Sequence, residues 1–308
     1  MTRVVVFAYH NVGVRCLSVL LAHDIEVALV VTHRDNPNEN IWFSSVADLA
    51  ALHNIPVITP DNPNMVEVIE QIRALQPDFL FSFYYREMFK GELLEIPKHG
   101  ALNMHGSLLP KYRGRVPVNW AIIKGETETG ATLHFMTEKP DNGAVLSQQA
   151  VPILPDDTAF EVFQKITVAA EITLNACLPA LLAGTAKPVK QDLSLGAYFG
   201  GRKPEDGIID WSQGARSIHN LVRAVAPPYP GATTHLFGKS MRILKTLVTT
   251  CTATGETPCF YIKERRAYAI CGQGLLRIVR FELEGKEMSA TEFAAQYGTA
   301  RFEFSASI

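Results

Sequence analysis

The chain has 308 residues, 47% of them hydrophobic and 19% charged, with a net charge of -2. That is enough for one large or two moderate domains with real cores, and it is the balance of a soluble globular protein. No uninterrupted apolar run approaches the roughly 18 residues of a membrane span. No Lys/Arg block interleaved with aromatics marks a nucleic-acid surface either, so neither kind of partner is expected.

The N-terminus opens directly on a strand-like Val4-Val5-Val6-Phe7-Ala8, with no signal-peptide layout, and a cytoplasmic protein is expected. Cys16, Cys177, Cys251, Cys259 and Cys271 are odd in number and scattered, which fits reduced thiols better than disulfides or zinc. The nine histidines show no ligand spacing, so no metal is expected. From Trp211 onward there are 12 Lys+Arg against 7 Asp+Glu, the remainder carrying 17 against 24. That mild split reads as an ordinary solvated surface.

In chain order, Val4 to Tyr9, Glu26 to Thr32, Pro56 to Ile58 and Phe79 to Phe83 are β-rich runs. Between them Cys16 to Ala22, Ser44 to His53 and Met65 to Leu75 carry apolar residues at helical spacing. Asp61 through Asn64 supplies turn and cap residues for the third of these. Strands alternating with helices predict a Rossmann-like, doubly wound, mostly parallel sheet, in which ligands collect at the carboxyl ends of strands. The first turn, Tyr9-His10-Asn11-Val12-Gly13, has one glycine where a pyrophosphate fingerprint needs three. His10 and Asn11 are therefore read as loop and cap residues, and no nicotinamide cofactor is expected.

Gly100-Ala101-Leu102-Asn103-Met104-His105 reads as the next strand, with Gly106 turning the chain into Ser107-Leu108-Leu109-Pro110-Lys111-Tyr112-Arg113-Gly114-Arg115. Residues two apart share a face, roughly 7 Å apart along a strand. Asn103 and His105 therefore project side by side while Met104 packs. An amide donor beside an imidazole suits acyl transfer: one can hold a developing oxyanion and the other can move a proton. No Gly-x-Ser-x-Gly elbow frames Ser107, which is not read as a nucleophile.

Pro117 to Lys124 predicts a helix with Pro at its first position, Gly125 to Gly130 a turn, and Ala131 to Met136 a strand. After Thr137-Glu138-Lys139-Pro140-Asp141-Asn142-Gly143, Ala144 to Val151 alternates like a strand, and a long helix capped at 155–158 reaches Leu182. Gly184 to Arg202 looks like a traverse. Beyond Trp211 come one helix, Ala215 to Ala224, and short strands over Met241 to Thr249, Ala267 to Cys271 and Leu275 to Leu283. These predict a small β-rich domain, an open, OB-like barrel. The expected division is 1–188 catalytic, 189–210 junction and 211–308 C-terminal.

Asn103-x-His105-x-Ser107-Leu108-Leu109-Pro110-x-Tyr112-Arg113-Gly114, Gly125-Glu126-Thr127-Glu128-Thr129-Gly130-x-Thr132, Met136 and Asp141-x-Gly143 closely resemble the formyltransferases that use 10-formyltetrahydrofolate. The resemblance extends, more loosely, to Pro228-Tyr229-Pro230-Gly231-Ala232. Val6 to His10, Thr32 to Pro37, Phe81 to Arg86 and Phe199 to Asp206 resemble the branch that formylates UDP-4-amino-4-deoxy-L-arabinose in lipid A modification and polymyxin resistance. Some members of that branch carry a second, dehydrogenase half; 308 residues leave no room for it, so oxidation of UDP-glucuronate is expected from another protein.

The resemblance implies attack of a primary amine on the formyl carbon of the folate co-substrate. His105, of an ordinary pKa about 6.5, would take the amine's proton and return one to the departing folate nitrogen. Asp141 would fix the imidazole's tautomer and favour its charged form. Asn103 would donate to the oxyanion. Glu87-Met88-Phe89 would line the pterin slot, with Thr137, Glu138, Lys139, Pro140 and Asp141 as its other wall and Arg115 on the cofactor. Arg113 would hold the loop, and Tyr84 and Tyr85 would shape its mouth. Arg202 would take the UDP phosphates or form an inter-domain salt bridge. The alternatives are methionyl-tRNA formyltransferase, formyltetrahydrofolate hydrolase and a catalytically silent binding module. The loop Asp35-Asn36-Pro37-Asn38-Glu39-Asn40 is not basic, which counts against a tRNA binder. Small-molecule folate and sugar-nucleotide partners are expected, and the sequence carries no signal for an oligomeric state.

Overall fold

The computed structural model describes residues 1–251 and 255–305. Two compact units emerge, and they are not consecutive stretches of chain. Met1–Pro117, Glu128–Pro152 and Phe163–Gly200 form the first; Val118–Thr127, Ile153–Val162 and the chain from Gly201 form the second. The expected junction at 189–210 therefore divides at Gly200, because its first half packs with the first unit and its second half with the other.

The N-terminal elements are β1 (Arg3–Ala8), α1 (His10–Ala22), β2 (Glu26–Val31), α2 (Val46–Leu52), β3 (Val57–Ile58), α3 (Val66–Leu75), β4 (Phe79–Phe83), α4 (Gly91–Leu94) and β5 (Ala101–His105). There follow β6 (Arg113–Gly114), α5 (Pro117–Ile123), β7 (Glu128–Phe135), β8 (Val145–Pro152), α6 (Ala159–Leu182) and β9 (Tyr198–Phe199). Seven strands form one sheet in the order β3-β2-β1-β4-β5-β7-β8. It is parallel from β3 to β5 and antiparallel across β5·β7·β8. The mostly parallel Rossmann-like sheet read from the alternation is thus present. Its central strands are almost wholly apolar and buried, Val4 to Ala8 without a break and Phe79 to Phe83 with only Ser82 polar, because both faces are covered. Phe7, Leu29, Ile72, Leu80 and Leu93 form the core on one face. Each such side chain contributes about 1.5–3 kcal/mol by leaving water.

Local chemistry sets the element ends. Ser45 caps α2 by accepting from the Asp48 N–H at 3.1 Å. Asn62 turns the chain before α3 by accepting from the Asn64 N–H, but the cap residue itself is Met65, one place later than the turn residues indicated. The strand predicted from Ala131 starts at Glu128. Gly130 lies inside it, where a Cβ would stand 2.2 Å from the Gln149 carbonyl of β8, so this glycine serves strand packing and not a turn. Helix α6 is long and apolar enough, by length and composition alone, to cross a membrane. The sequence criterion of an uninterrupted apolar run missed it because Glu161, Lys165 and Glu171 break the run. Val162, Phe163, Ile166, Ala170, Leu174 and Leu178 on it are buried in the protein.

The later elements are α7 (Ala215–Val225), β10 (Ala232–Leu236), β11 (Lys239–Val248), β12 (Cys259–Lys263), β13 (Arg266–Ile270), β14 (Leu275–Leu283), β15 (Lys286–Met288), α8 (Ala290–Tyr297) and β16 (Phe302–Ser305). The strands run β11-β10-β16-β12-β13-β14-β15, with β11 also pairing β14. That extra ladder closes six of them into an antiparallel barrel with β15 on its rim, so the small β-rich domain has no open seam. Its core gathers Trp211, Ile218, Val222, Met241, Phe260, Ile278, Phe281 and Phe293. Phe260 is fully buried, with edge-on contacts to Phe281 at 5.4 Å and Phe293 at 4.9 Å. Phe260→Ala is expected to cost about 3–5 kcal/mol through the cavity it leaves; chemical denaturation followed by near-ultraviolet circular dichroism checks this.

Candidate active site

The site grows from two neighbouring strands. In the antiparallel β5·β7 ladder Asn103 lies opposite His134 and His105 opposite Thr132. Directly paired residues share a face, so alternation on both strands puts four polar side chains on one side. Met104 and Leu133, also paired, turn into the opposite core. Thr132 entered the sequence reading only as a motif position and His134 not at all; their spacing of two inside an apolar strand, matching Asn103-x-His105, is the signal that marks them. The Asn103 amide donates to His134 Nε2 at 3.2 Å, and His134 Nδ1 donates to the Phe135 carbonyl at 2.8 Å.

The loop after β7 returns Asp141 to this face. Its Oδ1 stands 3.5 Å from His105 Nδ1 and 3.5 Å from His134 Nε2. Its Oδ2 accepts from the Gly114 N–H at 2.7 Å. Burial pushes the Asp141 carboxyl up, but the facing charge of His105, then His134 and the Gly114 N–H, outweigh burial and hold it well below the usual carboxylate range. His105 is buried, and its Nε2 lies 2.8 Å from the Tyr112 carbonyl. A neutral imidazole has one N–H and here meets an acceptor at each nitrogen, so a second proton arriving on the ring has a partner in place. The structure therefore brings Asn103, His105 and Asp141 together as a group, with His134 completing it.

The following loop is fixed from within. Ser107 Oγ donates to the Lys111 carbonyl at 2.6 Å, so this hydroxyl is spent on loop structure. Thr132 Oγ1 donates to the Ser107 carbonyl at 2.6 Å and accepts from the Leu109 N–H and Gln148. A Cβ on Gly106 would stand 1.9 Å from the Tyr84 hydroxyl. Close approach by Tyr84, and not the turn itself, is what requires glycine there. Arg113 holds the loop as expected, Nη1 donating to Asn142 Oδ1 at 3.0 Å and Nη2 to the Gly196 carbonyl at 3.0 Å. Tyr84, Tyr112, Val116 and Asp141 all have left-handed backbone, with φ between 47° and 59°. Non-glycine residues hold that conformation only where surroundings over-determine it, and such positions cluster at functional sites.

At the carboxyl end of β1, His10 stacks on Phe43 with centroids 3.9 Å apart and meets Trp42 and Phe163 edge-on. Burial, helped by Arg86, lowers its pKa to about 3, so it stays neutral. Its Nδ1 accepts from the Asn11 N–H at 2.9 Å.

The expected cofactor residues fall into three groups. Asn64 pins the 88–90 main chain, its amide donating to the Met88 carbonyl and accepting from the Lys90 N–H. Glu87 and Met88 are exposed, while the Phe89 ring is packed into the core 4.4 Å from Phe7. The facing segment lies alongside: a Cβ on Gly91 would stand 2.6 Å from Glu138 Oε1. Thr137 and Lys139 close that turn on themselves at 2.9 Å, and Pro140 leads into Asp141. Arg115 is exposed, and its N–H donates to the Phe199 carbonyl. Arg202 belongs to the second unit, where its guanidinium stands over the Trp120 ring at 5.7 Å and Nη2 donates to the Asp206 carbonyl. Among the described residues no group of three or more His, Cys, Asp and Glu could hold a metal ion.

Residues 3–178 match the formyl transferase family, and residues 202–298 match the C-terminal domain of formyl transferases. The chain belongs to the formyl transferase family and is a formyl-transferring enzyme. Among solved structures it is similar to an N-formyltransferase from Helicobacter canadensis, described in complex with folinic acid and dTDP-3-aminofucose. The TM-score is 0.67 at 21% identity, over 90% of this chain and 99% of that one. It is also similar to a variant of HypX from Aquifex aeolicus, with a TM-score of 0.64 at 17% identity, over 97% of this chain and 48% of the other. A phosphoribosylglycinamide formyltransferase from Bacillus halodurans matches 59% of this chain and 96% of its own at 27% identity and a TM-score of 0.52.

A carboxylate held below its ordinary pKa contributes stability that is complete above the unfolded value, about 3.9, and is lost as pH falls through the folded value. The stability gap between the native protein and Asp141→Asn is therefore expected to be full from about pH 5 upward and to narrow as pH falls below about pH 4. Urea unfolding across that range measures it, and a flat gap would contradict the electrostatics described.

Proposed function

We propose that this formyl transferase moves the formyl group of 10-formyltetrahydrofolate to the primary amine of a sugar nucleotide, UDP-4-amino-4-deoxy-L-arabinose. The observation that carries the reading is the meeting of Asn103, His105 and Asp141 at one strand end. The folate supplies an activated formyl carbon, whose bond to nitrogen breaks as the amine's carbon–nitrogen bond forms. His105 accepts the proton the amine gives up and delivers one to the departing nitrogen, so protons balance. Asp141 supports the ring while it is charged. Asn103 has two amide hydrogens; His134 takes one and thereby orients the other toward the developing oxyanion. Main-chain groups at 87–89 and the 137–141 turn hold the pterin, with Arg115 on the cofactor.

The sugar-nucleotide reading is supported by the resemblance of residues 199–206 and by Arg202. Its Nε and Nη1 are buried and, among the described residues, have no hydrogen-bond partner. Unspent guanidinium donors suit bidentate phosphate contacts. The tRNA alternative is disfavoured by the exposed 35–40 loop, which carries no cation and whose Glu39 pairs with Arg86 at 2.9 Å. On this reading the product serves lipid A modification and polymyxin resistance, and the reaction runs in the cytoplasm.

Mass spectrometry across a panel of UDP- and dTDP-amino sugars with 10-formyltetrahydrofolate tests it. Formylation of the UDP-arabinose amine is expected. Folate deformylation at full rate without any amine would make the protein a hydrolase, and initiator-tRNA formylation with steep salt dependence would restore the tRNA reading. His105→Ala is expected to lower kcat by about 10²–10⁴ and Asn103→Ala by about 10²–10³. Arg202→Met is expected to raise KM for the sugar nucleotide about tenfold while leaving kcat within about twofold, the mark of uniform binding.

A further inference from the structure

The turn that carries Asp141 is closed at its base by the Phe135 N–H donating to the Ala144 carbonyl at 2.9 Å, and its tip is held from outside the hairpin. Asp141 sits in left-handed backbone, with φ at 54°. Gly143 is pressed so closely on β7 that a Cβ would stand 1.8 Å from the Phe135 carbonyl. The carbonyls of Asp141 and Gly143 both point away from the hairpin to a single side chain from the segment after α6. Gln191 Nε2 donates to the Asp141 carbonyl at 2.8 Å and to the Gly143 carbonyl at 2.6 Å. Arg113 binds the side chain of the residue between them, Asn142. The turn is thus gripped at each of its three residues.

We infer that Gln191 is a positioning residue, one that sets the reach of the Asp141 carboxylate to the imidazoles of His105 and His134. The inference rests on the reading of Asp141 as the partner of His105 given above. Two observations separate it from ordinary loop packing. The carboxylate–imidazole separations are both 3.5 Å, at the outer edge of hydrogen bonding, so a shift of a few tenths of an ångström decides whether contact is made. The Gln191 oxygen is buried and has no hydrogen-bond partner among the described residues, while both hydrogens on its nitrogen are used on the turn. A side chain kept only for stability would satisfy both ends. Here one end is left unpaired to hold two carbonyls in place. His105 and His134 are the titratable groups that face the carboxylate, and neither contacts Gln191 in the hydrogen-bond network described.

Gln191→Leu removes both donors with little change in size, and Gln191→Glu places acceptors against the two carbonyls. With carboxyl-labelled aspartate, the midpoint of Asp141 in the intact protein is followed by carbon NMR. In either variant it is expected to rise by about one unit or more, with the melting temperature within a few degrees of native. In formylation assays kcat is expected to fall about 10- to 100-fold at constant KM. In an Asp141→Asn background, Gln191→Leu is expected to add no more than about a twofold loss, because its effect passes through the carboxylate. An Asp141 midpoint unchanged in both variants, or losses that multiply in the double variant, would overturn the assignment. The titration reads Gln191 without any substrate, so absence of formylation by the native enzyme would count against the functional reading and leave the positioning result to stand or fall separately.

Discussion

A carboxylate removed from water has to be surrounded by charge or by hydrogen-bond donors, and the first unit is arranged around that requirement at Asp141. Desolvation alone would protonate it. Two imidazoles from adjacent strands and a main-chain N–H from the loop after β5 together keep it ionised. Each contributor comes from a different segment, so the pocket exists only when the sheet order places β5 beside β7 and the loops beyond them fold back. The catalytic reading of Asn103 and His105 depends on that carboxylate more than on either residue alone.

The sheet end also explains why these loops tolerate strain. Left-handed backbone at four non-glycine residues around the site is a cost that local sequence would not choose. Around Tyr112 and Val116, hydrogen bonds of the 107–115 loop and the ladder between β6 and β9 hold the chain in place. Fixed loops place donors and acceptors before a substrate arrives, which is where electrostatic catalysis gains most.

Legibility in the sequence followed the distance over which a signal acts. Asn103 and His105 could be read because alternation in one strand is local, and β1, β2 and β4 because buried parallel strands are dense apolar runs. The first turns of α1 were missed, since Gly13 and the polar Tyr9-His10-Asn11 look like a turn until Phe43 stacks on His10. His134 and Gln191 were missed for a different reason. The role of His134 comes from a ladder partner, with only its spacing from Thr132 as a local trace, and that of Gln191 from a turn 48 to 50 residues away, which leaves none. Likewise β16, four residues long, says nothing of the barrel it closes until it pairs with β10 on one side and β12 on the other.

The chain is interleaved: residues 118–127 and 153–162 belong with the C-terminal unit although the strands of the first unit lie between and around them. An inheritance of this kind cannot be cut and pasted. A C-terminal half exchanged between relatives at one crossover near residue 200 would arrive without two of its own segments, held instead by the host's versions. A chimaera that moves the whole second unit therefore needs five matched crossovers, and lineages with new acceptors should diverge in those short segments together with the barrel.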